Sequence, residues 1–376
     1  LWLRESVFPV AVFGLSRAGL LLVVYLGLVF VPLNADFRDP WHAFPDNLLL
    51  DGWVRWDAGW YHRIATEGYT NLSVNAEEQK DTVFFPLYPL LIQQVARLVG
   101  NPFAAGLLVS NGAFLLALIL FFRLARSHYD SATAQRAVLL LALSPFSFYF
   151  STMYSESLFL FAATWAFYFG ERRRWAVAAL GAAAASATRL VGVLVPLGLL
   201  VLYLEQRDFQ WRKIRPDVLW TLAGASGLLA YMLFLWRAFG DPYLFIKNQY
   251  VRGWALDAGP EVISGILRNL SLYGLLSGRY DAINFLHLLI LPVVLLGALL
   301  AWRRPRIAYS LWSIATIIGS LGGWRSMGRY TSVLFPLYIV AALYLGDGWA
   351  YRIALYFSTL LLALFAIMYS HVYWVS

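Results

Sequence analysis

The sequence predicts an all-α protein that crosses a membrane many times. Apolar and aromatic residue types make up 60% of the 376 residues, and only 13% of the residues are charged. The mean hydropathy is +0.63. This composition excludes a water-soluble globular protein, in which about a quarter of the residues are charged. Because backbone groups in lipid must be hydrogen bonded within the chain, we expect apolar runs of about 20 residues to form helices.

The chain contains about eleven apolar runs of spanning or near-spanning length, and we expect them to form one integral-membrane domain over residues 1–376. The runs lie near residues 7–31, 103–122, 136–152, 155–170, 175–188, 190–204, 217–238, 283–302, 307–322, 329–345 and 350–372. The first run is hydrophobic throughout and matches a small-residue cleavage site poorly. We therefore expect it to stay as the first span.

Two stretches are ambiguous, and the distribution of basic residues decides between their alternatives. Residues 84–99 contain two prolines and two glutamines, which favours a helix at the membrane interface over a span. Residues 175–204 form either one long tilted helix or two short helices broken near Arg189. With the interfacial helix and the broken pair, the short connections on one face carry fourteen Lys and Arg residues, and those on the other face carry three. Basic residues favour the cytoplasmic side, so the N-terminus is predicted inside and the C-terminus outside.

Two long connections, residues 34–102 and 239–282, then fall on the outer face. Long connections in a compact protein are usually functional. The first of them holds nine carboxylates. We therefore expect the functional groups in these outer loops, together with interfacial helices.

The densest candidate site is the segment RWDAGWY at residues 55–61. A carboxylate between aromatic side chains at a membrane surface is partly desolvated and can act as a general base, and the aromatic faces suit a sugar ring. Asp57 is therefore a candidate base, and Trp56, Trp60 and Tyr61 are candidate substrate-binding residues. The alternative is an interfacial aromatic anchor in which Asp57 caps the helix that begins at Ala58.

A second candidate is Glu156, at the outer junction of the third and fourth predicted spans. An acid at the edge of the apolar zone is by default a functional candidate. The alternative is a first-turn carboxylate that the dipole of the fourth span stabilises. The residues alone do not decide between these two interpretations.

Two arginines near outer helix ends, Arg189 and Arg329, are candidates for binding a phosphate, because a guanidinium group binds phosphate in a bidentate way. The alternative, which is the more common one for a single arginine at a helix end, is snorkelling of the guanidinium to the lipid headgroups. Arg325, Lys247 and Arg252 are weaker candidates of the same kind.

Several kinds of chemistry are excluded by residue type or spacing. The sequence contains no cysteine, which removes disulfides, thiolate catalysis and cysteine-ligated metals. The five histidines show no metal-ligand spacing, so neither a metal nor another cofactor is expected. No glycine-rich phosphate loop follows a strand. The net charge of +8 arises in short loops between apolar runs and indicates membrane topology, so no nucleic acid partner is expected.

Six segments occur in a characteristic order: WDAGWYHRIATEGY, FFPLYPLL, SPFSFYFSTMYSESLFLF, ATRLVG, GDPYLFIKNQ and GRYTSVLFPLY. Together they resemble the family of the eukaryotic enzyme that adds the second mannose to the glycosylphosphatidylinositol anchor (PIG-V) and its prokaryotic relatives. The resemblance extends from about residue 50 to about residue 340, and its WD and FFPLYP elements are the most specific. This family belongs to the multispanning GT-C glycosyltransferases, so the resemblance implies that fold.

The resemblance also implies an activity. The implied enzyme is an inverting transferase that moves mannose from polyprenyl-phosphate mannose to a hydroxyl of a glycan or glycolipid on the non-cytoplasmic face. In the family motifs, Asp57 matches the general base, and Glu156 would orient the acceptor or the base. Arg189 and Arg329 would hold the donor phosphate, and Tyr330, within the same R-Y element, is an expected substrate-binding residue.

Two alternatives to this activity stay open. One is transfer of another sugar from the same kind of lipid carrier, because a few pocket contacts set sugar identity. The other is a transporter or flippase for a lipid-linked sugar, which is disfavoured because the charges gather outside the spans and no two halves of the chain match. The composition, rich in Ala, Leu and Arg, favours a bacterial relative in the plasma membrane, whose acceptor need not be glycosylphosphatidylinositol.

Overall fold

The structure is a computed structural model that describes residues 2–34, 42–72, 79–250, 264, 276 and 282–375. The regular structure of these described residues is helical, without a strand. The α-helices are α1 (Trp2–Phe30), α2 (Leu48–Asp51), α3 (Ala58–Glu67), α4 (Leu87–Val99), α5 (Pro102–Arg126), α6 (Ser131–Ala142), α7 (Glu156–Glu171), α8 (Trp175–Ser186), α9 (Leu194–Glu205), α10 (Leu219–Ala223), α11 (Ser226–Phe239), α12 (Leu244–Lys247), α13 (Ala282–Leu300), α14 (Ile307–Gly319), α15 (Met327–Ser332), α16 (Phe335–Leu345) and α17 (Trp349–Ser370). Short 3₁₀ stretches cover Asp81–Val83, Ser147–Phe150, Leu190–Val193, Trp211–Lys213, Pro216–Val218, Asn248–Tyr250 and Leu321–Ser326.

Several of these helices are apolar enough to cross a membrane. Glu5–Phe30, Pro102–Arg126 and Trp349–Ser370 each reach spanning length, and two bent helix pairs would raise the number of spans to 5. Shorter apolar helices of 10–17 residues are also present among the described residues. The protein is therefore a multi-pass membrane protein, as predicted, and the count of eleven spans stays a prediction.

Two choices that the basic residues favoured were a short helix within residues 84–99 and a break near Arg189, and the observed helix bounds agree with both. The stretch predicted to lie at the interface forms α4, an amphipathic helix of 13 residues. At 1.5 Å per residue such a helix is about 20 Å long, which is shorter than the roughly 30 Å hydrocarbon core of a bilayer. The predicted break near Arg189 is also present, because α8 ends at Ser186 and the next helical turn begins at Leu190.

The run 136–152 is helical only as far as Ala142, where α6 ends. Pro145 has no amide hydrogen to donate and restricts the backbone of the residue before it, so a helix cannot continue through this position undisturbed. The prediction of a helix over the whole run is therefore wrong. Residues 143–155 instead form a largely buried, irregular segment with one 3₁₀ turn, and this segment leads directly to Glu156.

The irregular segment is held by Arg17, an arginine of α1 that is only 6% exposed. Its Nη2 donates to the Ala142 carbonyl (2.7 Å), and its Nη1 donates to the Ser147 carbonyl (2.9 Å). Arg17 thereby satisfies carbonyl groups at the place where α6 stops. A charged group within a span is costly unless it is paired, and this one positions the segment that precedes Glu156.

Two buried clusters form the interior. The larger one surrounds α7, which packs against both α5 and α8, and it includes Phe114, Phe121 and Phe167. The second cluster is aromatic and joins the first long loop to residues 146–158 and to α17. Its tyrosines are Tyr61, Tyr88, Tyr149, Tyr154 and Tyr369. This aromatic cluster lies directly beside the candidate site.

Connections predicted on the same face contact one another. On the predicted outer face, the Asn248 side-chain amide donates to Thr82 Oγ1 (2.6 Å) and so joins the two long loops. On the predicted inner face, Glu171 accepts hydrogen bonds from Arg306 Nη2 (3.1 Å) and from the Tyr309 hydroxyl (2.9 Å). Contacts within each predicted face are expected if every spanning helix runs in the direction opposite to the one before it.

Candidate active site

Asp57 lies at the start of α3, after a tightly held turn. Arg55 is buried and donates to the Asp51 carboxylate (2.6 Å) and to the Ser370 carbonyl (3.3 Å), which ties the loop to the end of α17. Trp56 has a φ of 53°, in the left-handed region that residues with a side chain rarely adopt. Strain of this kind costs about 1–3 kcal/mol and is found mainly at functional sites.

The Asp57 carboxylate does not cap the helix that follows it. Asp57 occupies the N-cap position of α3, but its side chain makes no capping hydrogen bond. Its Oδ2 instead accepts a hydrogen bond from Arg329 Nη1 at 2.8 Å. The capping interpretation is therefore wrong, and the carboxylate is directed to a cation far away in the sequence.

Glu156 is the first residue of α7 and is fully buried. Its Oε1 accepts a short hydrogen bond from Arg329 Nε. The same oxygen lies 2.5 Å from Arg189 Nη1. Glu156 thus lies between two guanidinium groups, and snorkelling does not describe either arginine. We call Asp57, Arg329, Glu156 and Arg189 the ion cluster; its four side chains carry no net charge.

Two motif glycines allow the arginines to reach Glu156. A Cβ atom on Gly192 would lie 2.0 Å from the Ala185 carbonyl oxygen, so only glycine lets the turn after Arg189 pack against α8. A Cβ atom on Gly328 would lie 2.2 Å from the Phe146 ring. The Gly328 amide also donates to His287 Nδ1 (3.0 Å), which fixes the turn before Arg329 on α13.

Exposure separates the members of the ion cluster. The Asp57 side chain is 17% exposed and that of Arg189 14%, whereas Arg329 is 7% and Glu156 0% exposed. Asp57 Oδ2 accepts from Arg329, whereas Oδ1 accepts no hydrogen bond from the described residues. Arg329 donates to both Glu156 and Asp57 and so links the buried acid to the partly exposed one.

Two other buried acids of the first long loop, residues 34–102, are fully engaged. Asp81 accepts hydrogen bonds from the amides of Thr70 (2.7 Å) and Asn71 (3.1 Å). Burial raises the pKa of the Asp51 carboxyl, but hydrogen bonds from Arg55, the Phe44 amide and His42 outweigh it and hold this pKa below its usual range. Both acids therefore serve to fold the loop.

Of the remaining acids in this loop, Asp46 is exposed and Glu67 pairs with Arg63 at 3.3 Å. Asp36, Asp39, Glu77 and Glu78 lie outside the described residues. Within the described part of the loop, Asp57 is therefore the acid that combines partial exposure with a nearby arginine pair.

Aromatic side chains surround the ion cluster. The Arg329 guanidinium lies 4.4 Å from the centroid of the Tyr154 ring, within range of a cation–π contact. The Tyr154 hydroxyl accepts a hydrogen bond from the Asp57 amide (3.2 Å). Arg189 lies 5.4 Å from the centroid of Tyr330. Tyr154 thus contacts both Asp57 and Arg329, although the sequence pattern did not single out this residue.

The predicted substrate-binding aromatics differ in exposure. Trp56, Trp60 and Tyr330 are partly exposed, and Trp60 stacks on the Phe84 ring with 5.8 Å between centroids. Tyr61 is buried, and its hydroxyl donates to Ser155 Oγ (2.9 Å) next to Glu156. The geometry therefore leaves three of these rings open to a ligand, while Tyr61 joins α3 to α7.

The weaker cation candidates stay apart from the cluster. Lys247 pairs with Asp241 at 2.5 Å, and Arg325 is exposed beside the Trp324 ring. Arg252 lies outside the described residues. The described residues also contain no group of three or more His, Cys, Asp or Glu side chains that could hold a metal ion. The expectation of metal-independent chemistry stays a prediction.

Comparison with solved structures identifies the class of fold. ArnT from Cupriavidus metallidurans in the apo state matches with a TM-score of 0.51 and 18% sequence identity, over 89% of this chain and 59% of that chain. The same protein bound to undecaprenyl phosphate matches with a TM-score of 0.49 and 16% identity, over 89% of this chain and 60% of that chain. The fold is that of the GT-C membrane glycosyltransferases, which confirms the predicted fold class.

Sequence comparison identifies the family. The family model described as Mannosyltransferase (PIG-V) matches residues 45–234, half of the chain, and so includes Asp57, Glu156 and Arg189 but not Arg329. The chain belongs to the PIG-V mannosyltransferase family. GPI mannosyltransferase 2 from Drosophila pseudoobscura pseudoobscura is 29% identical over 125 residues, which cover 30% of this chain and 26% of that protein. The match thus spans about a quarter of the length of this curated relative.

Gly328→Ala is expected to destabilise the protein and displace Arg329, because the added methyl group would overlap the Phe146 ring. Overpacking of a buried site costs about 1–3 kcal/mol. Thermal unfolding of the purified protein in detergent measures the effect. Gly112→Ala is the matched control, since nothing lies within 4 Å of a Cβ atom at that helical position.

Phe146→Leu in the Gly328→Ala background should recover part of the lost stability, because the smaller side chain makes room for the methyl group. Equal melting temperatures for Gly328→Ala and Gly112→Ala would show that the close approach to Phe146 is not needed.

Proposed function

We propose that the protein is an inverting glycosyltransferase that moves mannose from polyprenyl-phosphate mannose to a hydroxyl of a glycan or glycolipid. The observation that carries this proposal is the ion cluster. In it, the buried Arg329 orients a partly exposed carboxylate, Asp57, and a partly exposed cation, Arg189, pairs with the same buried acid as Arg329. Membership of the PIG-V mannosyltransferase family supports mannose as the sugar and favours an enzyme over a transporter.

The proposed reaction needs one base and no protein nucleophile. The oxygen of the acceptor hydroxyl attacks the anomeric carbon of the donor from the face opposite the phosphate. The bond between the anomeric carbon and the phosphate oxygen breaks, and polyprenyl phosphate leaves with the electron pair. Asp57 Oδ1 takes the hydroxyl proton. A β-linked donor would therefore give an α-mannoside.

The two arginines have distinct parts in this proposal. Arg189 contacts the donor phosphate and stabilises the charge that grows on it in the transition state. Arg329 adds positive charge near the phosphate. It also keeps the Asp57 carboxylate oriented toward the acceptor hydroxyl. Alignment of two reactants can lower a barrier by about 7–11 kcal/mol, and a positioned base contributes roughly 10²- to 10⁴-fold in rate.

The site is proposed to face the non-cytoplasmic side of a bacterial plasma membrane, with the N-terminus in the cytoplasm. The support is the excess of basic residues in the connections predicted on the opposite face. A lipid-linked donor also gives a reason for a transferase embedded in the bilayer, because the polyprenyl chain can stay in lipid while its phosphate reaches Arg189.

Asp57→Asn is expected to lower the rate of transfer by about 10²- to 10⁴-fold, because the amide cannot take the acceptor proton. The assay incubates purified protein with a panel of polyprenyl-phosphate sugars and an acceptor glycan, and measures released polyprenyl phosphate. Asp46→Asn is the matched control, since it removes an exposed charge from the same loop. Both variants should unfold near the wild-type temperature.

Wild-type activity in Asp57→Asn would remove the base assignment. If polyprenyl phosphate were released from a donor that carries a different sugar, and not from the mannose donor, that sugar would replace mannose as the proposed substrate.

Arg189→Gln and Arg329→Gln are expected to affect different kinetic constants. Loss of one charge-assisted hydrogen bond to the phosphate should raise the donor KM of Arg189→Gln by roughly tenfold. Arg329→Gln should mainly lower kcat, because Asp57 loses its orienting partner. The acceptor KM should change little in either variant. A rise in the acceptor KM of Arg189→Gln with an unchanged donor KM would contradict the assignment to the phosphate.

A further inference from the structure

A second polar site lies among the connections of the predicted inner face. A cavity of about 280 Å³ opens between α1, α6 and the start of α17. Its charged and hydroxyl-bearing lining residues are Arg136, Asp347, Tyr351 and Arg352. These residues share no contact with the ion cluster, and the proposed transfer reaction makes no use of them.

Two of the residues that line this cavity carry a hydrogen-bond donor that has no acceptor. Arg136 Nε and the Tyr351 hydroxyl are buried and find no hydrogen-bond partner among the described residues. Tyr351 as a whole is 9% exposed. A buried donor without a partner costs about 1–3 kcal/mol, and such groups in a native protein usually have a ligand or water partner. Since Nε can only donate, the missing partner is an acceptor.

The helix end that forms part of the cavity also favours an anion. α17 has Gly348 at its N-cap and no side-chain capping bond, so its first amide groups lack that partner. Arg352, in the first turn, adds a cation at the positive end of the helix dipole, where cations are unfavourable. A bound anion would compensate both the amides and the arginine.

We propose that this cavity binds the phosphate group of an anionic phospholipid from the inner leaflet. Arg136, Arg352 and the Tyr351 hydroxyl are the donors to the phosphate. With Asp347, the charged lining residues carry one net positive charge, and the Asp347 carboxylate can accept a hydrogen bond from a headgroup hydroxyl. Basic pockets between spanning helices on the cytoplasmic side suit such headgroups.

Apolar surface beside the cavity favours a lipid over free phosphate. Phe8 and Leu139 form its apolar wall. Val7 on α1 and Ile353 on α17, each next to a lining residue, are 65% and 55% exposed. Acyl chains can therefore lie along α1 and α17 while the phosphate occupies the cavity.

The test titrates purified full-length protein in detergent with dioleoylphosphatidylglycerol, and measures bound lipid by native mass spectrometry. Arg136→Gln combined with Arg352→Gln should weaken binding by about tenfold or more, and Tyr351→Phe alone by several-fold. Arg126→Gln combined with Arg303→Gln is the matched control, because it removes two exposed arginines of the same predicted face outside the cavity. This control should bind as the wild type does.

Dioleoylphosphatidylcholine and inorganic phosphate complete the design. The zwitterionic lipid should bind at least tenfold more weakly, and inorganic phosphate at equal concentration should not displace the anionic lipid. Displacement by inorganic phosphate would overturn the assignment to a lipid. Equal binding by all variants would overturn the site, and so would a loss of binding in Arg189→Gln, since that result would locate the lipid at the ion cluster.

Discussion

The structure of the candidate site depends on one buried carboxylate. Glu156 is fully enclosed at the start of α7, and an isolated charge in such a place costs several kcal/mol in lost hydration. Arg329 and Arg189 compensate that charge, and Arg329 also pairs with Asp57. The pairing brings together the irregular segment before α7, the turn after α8 and the segment after α14. Asp57 joins this assembly through Arg329, so the position of the candidate base follows from the burial of a different acid.

The hydrogen bond from Arg329 keeps the Asp57 carboxylate in one position. A base that is held by a fixed guanidinium needs little reorganisation during the reaction, which is the condition for effective electrostatic stabilisation. The left-handed backbone of Trp56 is compatible with this role, because Arg55 on one side and Tyr154 on the other hold the turn in place. The described residues around Asp57 in the first long loop are therefore a fixed part of the site.

Much of the fold was predictable, because hydropathy and basic residues report directly on lipid and on topology. The break near Arg189 follows from them, and so does a short helix within residues 84–99, whose place at the membrane interface stays a prediction. Hydropathy could not show that α6 stops at Ala142, since the run stays apolar while Pro145 and the distant Arg17 decide the local structure. All four members of the ion cluster were predicted as separate candidates. Their pairing was not, because Asp57 and Arg329 are 272 positions apart and nothing in a single sequence records such a contact. The same holds for Gly328, whose need for close packing appears only beside Phe146.

The most direct test of the central interaction is a double-mutant cycle on Glu156→Gln and Arg329→Gln, with the free energy of unfolding measured in detergent. Each single variant takes away one of the two partners of a buried charge, since Glu156 keeps Arg189 and Arg329 keeps Asp57. We predict a loss of about 1–3 kcal/mol for each. The double variant removes both charges, so its loss should be smaller than the sum of the single losses by at least about 1 kcal/mol. Losses that add within about 0.5 kcal/mol would contradict the interdependence of the two residues.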